Sequence, residues 1–540
     1  MSEILFQYHK VNPTTWVYLS SLLMIGLYFK FGRFWSVRNL DLVLLILLAP
    51  GLLTAQYGGE DRARAARLAT ASAQRVNAPP TGTLAEPDSG SPSPAALTSP
   101  PTRSGAVVGA IPEESAPEPL ASGPSSPGNS RIAERESPSQ DELPTLAQTA
   151  LQSSVRIERF GFLWLFAVGA IWLVRLLLDP TMVRRPLLEP NLTTGGLIFL
   201  GCSLFVFLMA NVWTSQRFQP SATLADATAP SPLAGGAADE QDDSTNGDVR
   251  RGPGYALLNL VPSIPTMPLV PEGIPSTSEQ RTYAIVAKAI AVLCHLAVVL
   301  GLVAIGYWHF GNTKTGAGVA ALYLMLPYTA QMTGHIDHVL PAALLVWAIL
   351  SYRKPLTAGM LLGLATGLVY YPLFLLPLWV SFYWRRGLMR FAGGVVVTLI
   401  VMAVALAFIP HASYWENLQQ MFGLWPPKMG GLLGIWGLGW DPVYRIPVLA
   451  GFFALSFTLA IWPAQKNLGT LLSCSAAVMV ATQFWHGYGG GLYMGWYLPL
   501  TLLTVFRPNL EDRVALAVLG EGWNRWRTTN LVSGIKAAVL

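Results

Sequence analysis

Long apolar stretches, each closed by a short polar or basic turn, repeat along most of this chain. A helix that crosses a membrane needs about 20 largely apolar residues, and about thirteen stretches approach that length. They are residues 14–30, 39–57, 160–178, 195–213, 282–308, 316–332, 338–352, 356–371, 372–384, 389–409, 446–463, 467–485 and 490–506. The pattern predicts an all-α fold: a polytopic transmembrane helical bundle of about 13 helices.

The apolar run from 356 to 384 is interrupted by Tyr370-Tyr371-Pro372. Proline removes a helix donor, and the residue before it is driven out of the helical region. We therefore predict two short helices, 356–371 and 372–384, that form a hairpin instead of one overlong helix.

Basic residues cluster on alternate connections between the apolar stretches, whereas the intervening short connections carry almost none. The basic connections hold Lys30, Arg33 and Arg38; Arg184 and Arg185; Lys314; Arg353 and Lys354; Arg385, Arg386 and Arg390; Lys466; and Arg507 and Arg513. Such clusters face the cytoplasm in membrane proteins. The N-terminus is therefore predicted outside and the C-terminus inside a cell membrane, either inner or plasma. The hairpin keeps every cluster on one side.

Two segments, 58–155 and 215–252, are rich in Pro, Ser, Ala and acidic residues, which predicts disorder. The predicted organisation is a two-helix membrane segment at 1–57, a disordered loop at 58–155, a two-helix membrane segment at 156–214, a mostly disordered, Pro-rich outside loop at 215–280, the main transmembrane bundle at 281–506 with an interfacial loop at 411–445, and a cytoplasmic tail at 507–540.

Composition narrows the functional classes. Only 12% of the 540 residues are charged, and the mean hydropathy is +0.42, whereas a soluble chain averages about 25% charged residues. The net charge of +5 is spread over short loop clusters, so no nucleic-acid partner is expected. The three cysteines lie inside apolar segments, which favours apolar core residues over disulfides or zinc ligands. P-loop, Rossmann, GxSxG and HExxH motifs are absent from the sequence.

Titratable side chains gather at predicted outside helix ends, first of all His335, Asp337 and His338. Ionisable groups beside membrane helices are costly and often functional. On a helix, His335 and His338 would share a face and Asp337 would be rotated away, so metal binding by these three alone is not expected. The alternative is that they only cap a helix at 338–352.

Two more polar residues lie in apolar segments. His295 is predicted to hydrogen-bond between helices, with a proton relay as the alternative. Asp41 is predicted to interact with the dipole at the start of its helix.

One order of features resembles the GT-C superfamily of membrane glycosyltransferases. The features are Gly334-His335-Ile336-Asp337, an A-G-x-L-L-G-L-A helix from Ala358 to Ala365, and the run from Pro372 to Arg386, about a tenth of the chain. The resemblance implies transfer of a sugar from a polyprenyl-phosphate carrier on the outer face of the membrane. The chain departs from the family pattern in two places. No acid follows 195–213 before Asp226, and Tyr370-Tyr371 stands where some members carry a lysine.

The residues that such a transfer would use can be assigned from charge and position. Asp337 is the expected base, assisted by His335 and His338, with Glu416 and Asp441 in reserve. The scarce outside cations Arg281, Lys428 and Arg445 would hold the phosphate. Substrate contacts are expected from Trp415, Trp436, Trp440, His486 and Tyr488, since tryptophan favours the membrane interface. No cofactor is predicted, with a divalent metal left open; the partners are membrane lipid and the lipid-linked sugar. A non-catalytic scaffold or assembly protein, and in last place a transporter, remain the alternatives.

Overall fold

The computed structural model describes residues 13–76, 143–182, 188–214, 278–407, 414–415, 418, 432–464 and 466–508. Fourteen α-helices occur in these ranges: α1 Pro13–Tyr28, α2 Val37–Val76, α3 Leu143–Leu178, α4 Thr194–Thr214, α5 Ser278–Trp308, α6 Thr313–Met325, α7 Pro327–Gln331, α8 Ile336–Leu350, α9 Pro355–Leu368, α10 Leu376–Tyr383, α11 Leu388–Leu406, α12 Arg445–Ile461, α13 Leu468–Trp485 and α14 Leu498–Phe506. The described ranges contain no β-strand beyond one isolated bridge.

Seven of the described helices are long and apolar enough to cross a membrane. They are parts of α2, α3, α4, α5, α11, α12 and α13. The predicted all-α membrane bundle is therefore confirmed. Helix α13 is its centre, because nearly all its residues are buried and it packs against α10, α12 and α14. A helix that is apolar on all sides belongs in the interior of a bundle.

The predicted break at Tyr370-Tyr371-Pro372 is confirmed. Helix α9 ends at Leu368, a 3-10 turn runs from Tyr371 to Leu375, and α10 follows. A continuous helix over these residues would be roughly 43 Å long. Instead, the Tyr383 hydroxyl at the end of α10 donates to the Tyr352 carbonyl just before α9, at 2.6 Å. The chain therefore doubles back as a hairpin.

Glycines allow α9 and α11 to touch through their backbones. A Cβ on Gly359 would collide with the Phe391 carbonyl, and one on Gly394 would collide with the Leu356 carbonyl. The neighbouring Gly393 faces open space, so only one side of α11 carries the contact. Small residues at helix interfaces provide van der Waals packing where lipid removes the hydrophobic drive for association.

Helices α2 and α3 extend into the region 58–155, which the sequence predicted to be disordered. Helix α2 continues to Val76 and α3 begins at Leu143, whereas disorder was predicted for 58–155. For α2 the reason is composition: residues 63–76 contain six alanines and no proline or glycine, and alanine has the highest helix propensity. Residues 77–142 lie outside the described residues, as do 215–252.

A buried ionic network joins three elements at the ends of α2, α3 and α14. Arg175 donates to both carboxylate oxygens of Asp41, at 2.8 and 3.0 Å, and to Asp179 at 3.1 Å. Arg507 donates to the second oxygen of Asp179 at 2.8 Å. Asp179 is fully buried. The predicted helix-dipole partner Asp41 is therefore first of all half of a bidentate ion pair, which the sequence could not show because its partner is more than 130 residues away.

His295 behaves as the sequence predicts. One ring nitrogen lies 3.0 Å from the Tyr323 hydroxyl and the other 3.1 Å from the Thr333 carbonyl. It therefore connects α5 to α6 and to the residues before α8. The three cysteines carry free thiols; Cys294 and Cys474 are buried, but Cys202 is exposed on α4, so the prediction of three core cysteines is wrong for that residue.

Candidate functional site

The site is built around the start of α8. His335 is the residue before the helix and has extended backbone angles, φ −89° and ψ 100°, while Asp337 and His338 lie in the first turn. Asp337 and His338 are buried, at 7% and 5% exposure, and His335 is exposed. The helix begins at Ile336, two residues before the predicted start. The His335 side chain makes no capping hydrogen bond, so the cap alternative lacks its expected contact.

The three side chains converge, contrary to the prediction that Asp337 is rotated away. One potential ligand atom from each of His335, Asp337 and His338 lies within 4.8 Å of the other two. The Nε2 atom of His338 is 3.8 Å from Oδ2 of Asp337. The prediction failed because it placed His335 on the helix, whereas its extended backbone lets the ring swing back over the first turn.

Tyr328 holds the other side of the His338 ring. Its hydroxyl is 2.6 Å from Nδ1 of His338, and both residues are buried. Whichever of the two atoms carries the proton, this bond fixes the plane of the ring and leaves Nε2 facing Asp337. Tyr328 lies on the short helix α7, which begins at Pro327, so the proline determines where this hydroxyl is presented.

Aromatic rings link the Asp337–His338 pair to the turn after α13 and to the break between α9 and α10. Tyr493 stacks on His338 with ring centroids 4.5 Å apart, and its ring also contacts that of His486 in a tilted arrangement, with centroids 4.6 Å apart. Tyr371, from the break between α9 and α10, lies 4.8 Å from His486. The Trp496 indole donates to the Asp337 carbonyl at 2.9 Å. The rings thus give the titratable groups a rigid, largely apolar surround.

The turn after α13 is a glycine-dependent structure. Leu433 donates to the Gly487 carbonyl at 2.8 Å, and Gly489 donates to the Leu433 carbonyl at 3.2 Å. Gly489 and Gly434 have positive φ angles, 75° and 70°, and a Cβ on Gly434 would meet the Gly489 backbone. A side chain at Gly434 would therefore disrupt this bridge, and one at Gly489 would strain the backbone there. The bridge places Tyr488 beside the segment that leads to α12.

The predicted cation Arg445 lies against this turn. It is buried, its Nε donates to the Trp485 carbonyl at 2.6 Å, and its guanidinium is 5.9 Å from the Trp485 ring centre. A Cβ on residue 487 would lie 2.8 Å from the Arg445 guanidinium, so the close approach of Arg445 to the turn depends on glycine there. A buried guanidinium at the end of α13 provides fixed positive charge next to the aromatic surround.

The predicted tryptophans differ in their exposure and in their contacts. Trp436 is buried and donates to the Phe484 carbonyl at 3.2 Å, so it supports the end of α13. Trp440 packs edge-on against Trp436 and is exposed. Trp415 is 69% exposed, as an interfacial residue would be. His486 is fully buried and accepts a hydrogen bond from the Tyr488 amide at 3.2 Å.

The remaining predicted residues are Asp441, Glu416, Lys428 and Arg281. The exposed Asp441 carboxylate accepts the Val443 amide at 2.9 Å and caps a 3-10 turn, which is a structural task. Glu416 and Lys428 lie outside the described residues, and of Arg281 only the backbone, in α5, is described.

Sequence reasoning missed four aromatic contributors: Tyr328, Tyr371, Tyr493 and Trp496. A signal exists for the last two, because Gly489-Gly490-Gly491 is followed closely by aromatic residues, and three successive glycines disfavour the helix predicted to begin at residue 490. No comparable signal marks Tyr328, whose role depends on the kink between α6 and α7.

Comparison with known proteins adds no relative: the chain matches no protein-family profile, no curated protein and no solved structure.

Proposed function

We propose that the protein is an integral membrane enzyme that transfers a sugar from a polyprenyl-phosphate carrier, as the resemblance to GT-C enzymes implies. The observation that carries the proposal is the Asp337–His338 pair, 3.8 Å apart and connected through Tyr493 to the His486 turn and its neighbour Arg445. A carboxylate, an imidazole and a fixed cation at one end of a membrane bundle are the groups that glycosyl transfer to a hydroxyl requires.

In the proposed reaction the acceptor hydroxyl attacks the anomeric carbon, and the bond from that carbon to the phosphate oxygen breaks. The Asp337 carboxylate takes the hydroxyl proton, and the leaving polyprenyl phosphate keeps the bonding electron pair. Arg445 offsets the charge that develops on that phosphate, with Arg281 and Lys428 as further cations. His338 holds the carboxylate in place. The exposed Trp415 and Trp440 would lie in the interface where the lipid carrier is anchored.

The orientation that this reaction needs is part of the proposal. The site would face the outside of the cell or inner membrane, with the N-terminus outside and the C-terminus in the cytoplasm. The Asp179 network would then lie on the cytoplasmic side, where the basic connections are expected.

Reporter fusions test the orientation. Fusions after Lys354 and after Arg386 are both expected to report the cytoplasm, because the hairpin between them crosses the membrane twice. A fusion after Asp441 is expected to report the outside and serves as the matched control. An outside signal after either basic pair would contradict the proposed orientation.

The function is tested by assaying the purified protein, reconstituted in lipid nanodiscs, with a panel of radiolabelled polyprenyl-phosphate sugars and a lipid extract as the source of acceptor. We expect time-dependent loss of label from at least one donor, with equimolar release of polyprenyl phosphate. A protein that binds none of the donors and releases no polyprenyl phosphate would instead be a scaffold or assembly protein. Movement of intact donor across the bilayer without cleavage would indicate a transporter.

A further inference from the structure

Three side chains at the start of α8 form a mixed set of two imidazoles and one carboxylate. Among the described residues this is the one group of three or more His, Cys, Asp or Glu side chains close enough to hold a metal ion. Two imidazoles and a carboxylate, with the remaining positions open, are the donors that Zn²⁺, Fe²⁺ and Co²⁺ take in catalytic sites. Mg²⁺ and Ca²⁺ prefer oxygen donors and are not matched by this set.

We propose that His335, Asp337 and His338 bind one divalent transition-metal ion of the Zn²⁺ class. The Nε2 of His338 and Oδ2 of Asp337 are already 3.8 Å apart. Two ligands on one tetrahedral zinc are roughly 3.4 Å apart for bonds near 2.1 Å, so this pair needs to close by less than half an ångström. His335 is exposed and outside the helix, so its ring has the freedom to complete the set.

The surroundings of His338 match those of a metal-bound imidazole. Such a ring uses its second nitrogen to bond a neighbouring polar group, which fixes the tautomer and the orientation. Here Nδ1 of His338 lies 2.6 Å from the Tyr328 hydroxyl, and Tyr493 stacks on the ring at 4.5 Å. The nitrogen that faces Asp337 is therefore the one that a metal ion would take, and the ring needs no reorientation.

The helix N-terminus works against a cation, since its partial positive charge repels one. That repulsion amounts to a small part of the free energy of three coordinate bonds. The ion would be coordinated by Oδ2 of Asp337, which leaves the other carboxylate oxygen, Oδ1, uncoordinated.

A catalytic role for the ion rests on the proposed function. In the proposed transfer, the ion would bind the acceptor hydroxyl and make its proton easier to remove.

Metal binding is tested directly with Co²⁺, whose visible absorption reports coordination. The full-length protein is purified without a polyhistidine tag, stripped with EDTA, dialysed and titrated. We expect one Co²⁺ per chain with intense bands of a four- or five-coordinate site, displaced by Zn²⁺ but not by a hundredfold excess of Mg²⁺. His335→Ala, a change at an exposed position, should weaken Co²⁺ binding by more than the roughly 10- to 100-fold that loss of a supporting hydrogen bond costs.

Two further variants sharpen the test. Tyr328→Phe should weaken binding about 10- to 100-fold while the absorption bands remain. His309→Gln removes an imidazole whose ring bonds the Leu350 carbonyl at 2.8 Å in another part of the bundle, and it should bind Co²⁺ like wild type. Wild-type protein that binds no stoichiometric Co²⁺ or Zn²⁺, or His335→Ala protein that binds them unchanged, would overturn the proposal.

The outcome separates this inference from the proposed function. Absence of stoichiometric metal binding in a protein that transfers sugar at full rate in EDTA would overturn the metal site and leave the enzyme. Stoichiometric metal binding that depends on His335, in a protein that cleaves no polyprenyl-phosphate sugar, would support the metal site and count against the transferase.

Discussion

Asp179→Asn is expected to lower the free energy of unfolding by about 3–5 kcal/mol, because it leaves two arginines without their shared carboxylate. Asp179 is fully buried and accepts from Arg175 at 3.1 Å and from Arg507 at 2.8 Å. Asparagine keeps the shape of aspartate but not its charge. The loss of stability therefore measures the electrostatic interaction with the arginines and not the creation of a cavity. Denaturant or thermal unfolding of the purified protein in detergent measures the change.

Glu189→Gln is the matched control for that substitution. It makes the same loss of charge at an exposed carboxylate, whose attraction to Arg38 is screened by solvent, and it leaves intact the backbone carbonyl that Arg38 bonds at 2.7 Å. Surface substitutions of this kind change stability by less than about 0.5 kcal/mol. If Asp179→Asn unfolded no more easily than Glu189→Gln, the network would contribute little and the three elements would be held by apolar packing alone.

The features that sequence reasoning captured are those set by local pattern. The lengths of the apolar runs predicted the helical membrane bundle, and the proline at position 372 predicted the hairpin. Both features depend on residues that are close together in the chain. The long helix α2 was underestimated at its C-terminal end for a related reason. The predicted boundary followed the bilayer thickness, whereas alanine-rich sequence continues a helix beyond it.

The site was predictable only in part. His335, Asp337, His338 and His486 were identified by their cost in an apolar setting, but nothing in the sequence pairs His338 with Tyr328 or brings Tyr371 onto His486. Those contacts depend on how helices from distant parts of the chain pack. The Asp41–Arg175–Asp179–Arg507 network was missed for the same reason. Asp441 was proposed as a reserve base from its predicted outside position, and in the structure its carboxylate caps a 3-10 turn.

Asp337→Asn is expected to lower the rate of sugar transfer by at least about 10²- to 10⁴-fold, the contribution of a general base. The asparagine amide has no basic lone pair for the acceptor proton, and a metal ion at this position would lose one ligand. Folding should be close to wild type, because the Trp496 indole bonds the backbone carbonyl of residue 337 and not its side chain. Thermal unfolding of the variant checks that expectation.

The most direct measurement of whether this cluster is a catalytic centre is the single-turnover transfer rate of Asp337→Asn beside that of Asp441→Asn. Both variants exchange a carboxylate for an amide, and asparagine at 441 still offers an oxygen to the Val443 amide, which the native residue accepts at 2.9 Å. We predict a loss of at least about 10²-fold for Asp337→Asn and a wild-type rate for Asp441→Asn. Full transfer by a well-folded Asp337→Asn protein, or loss confined to Asp441→Asn, would contradict the assignment of the site to the start of α8.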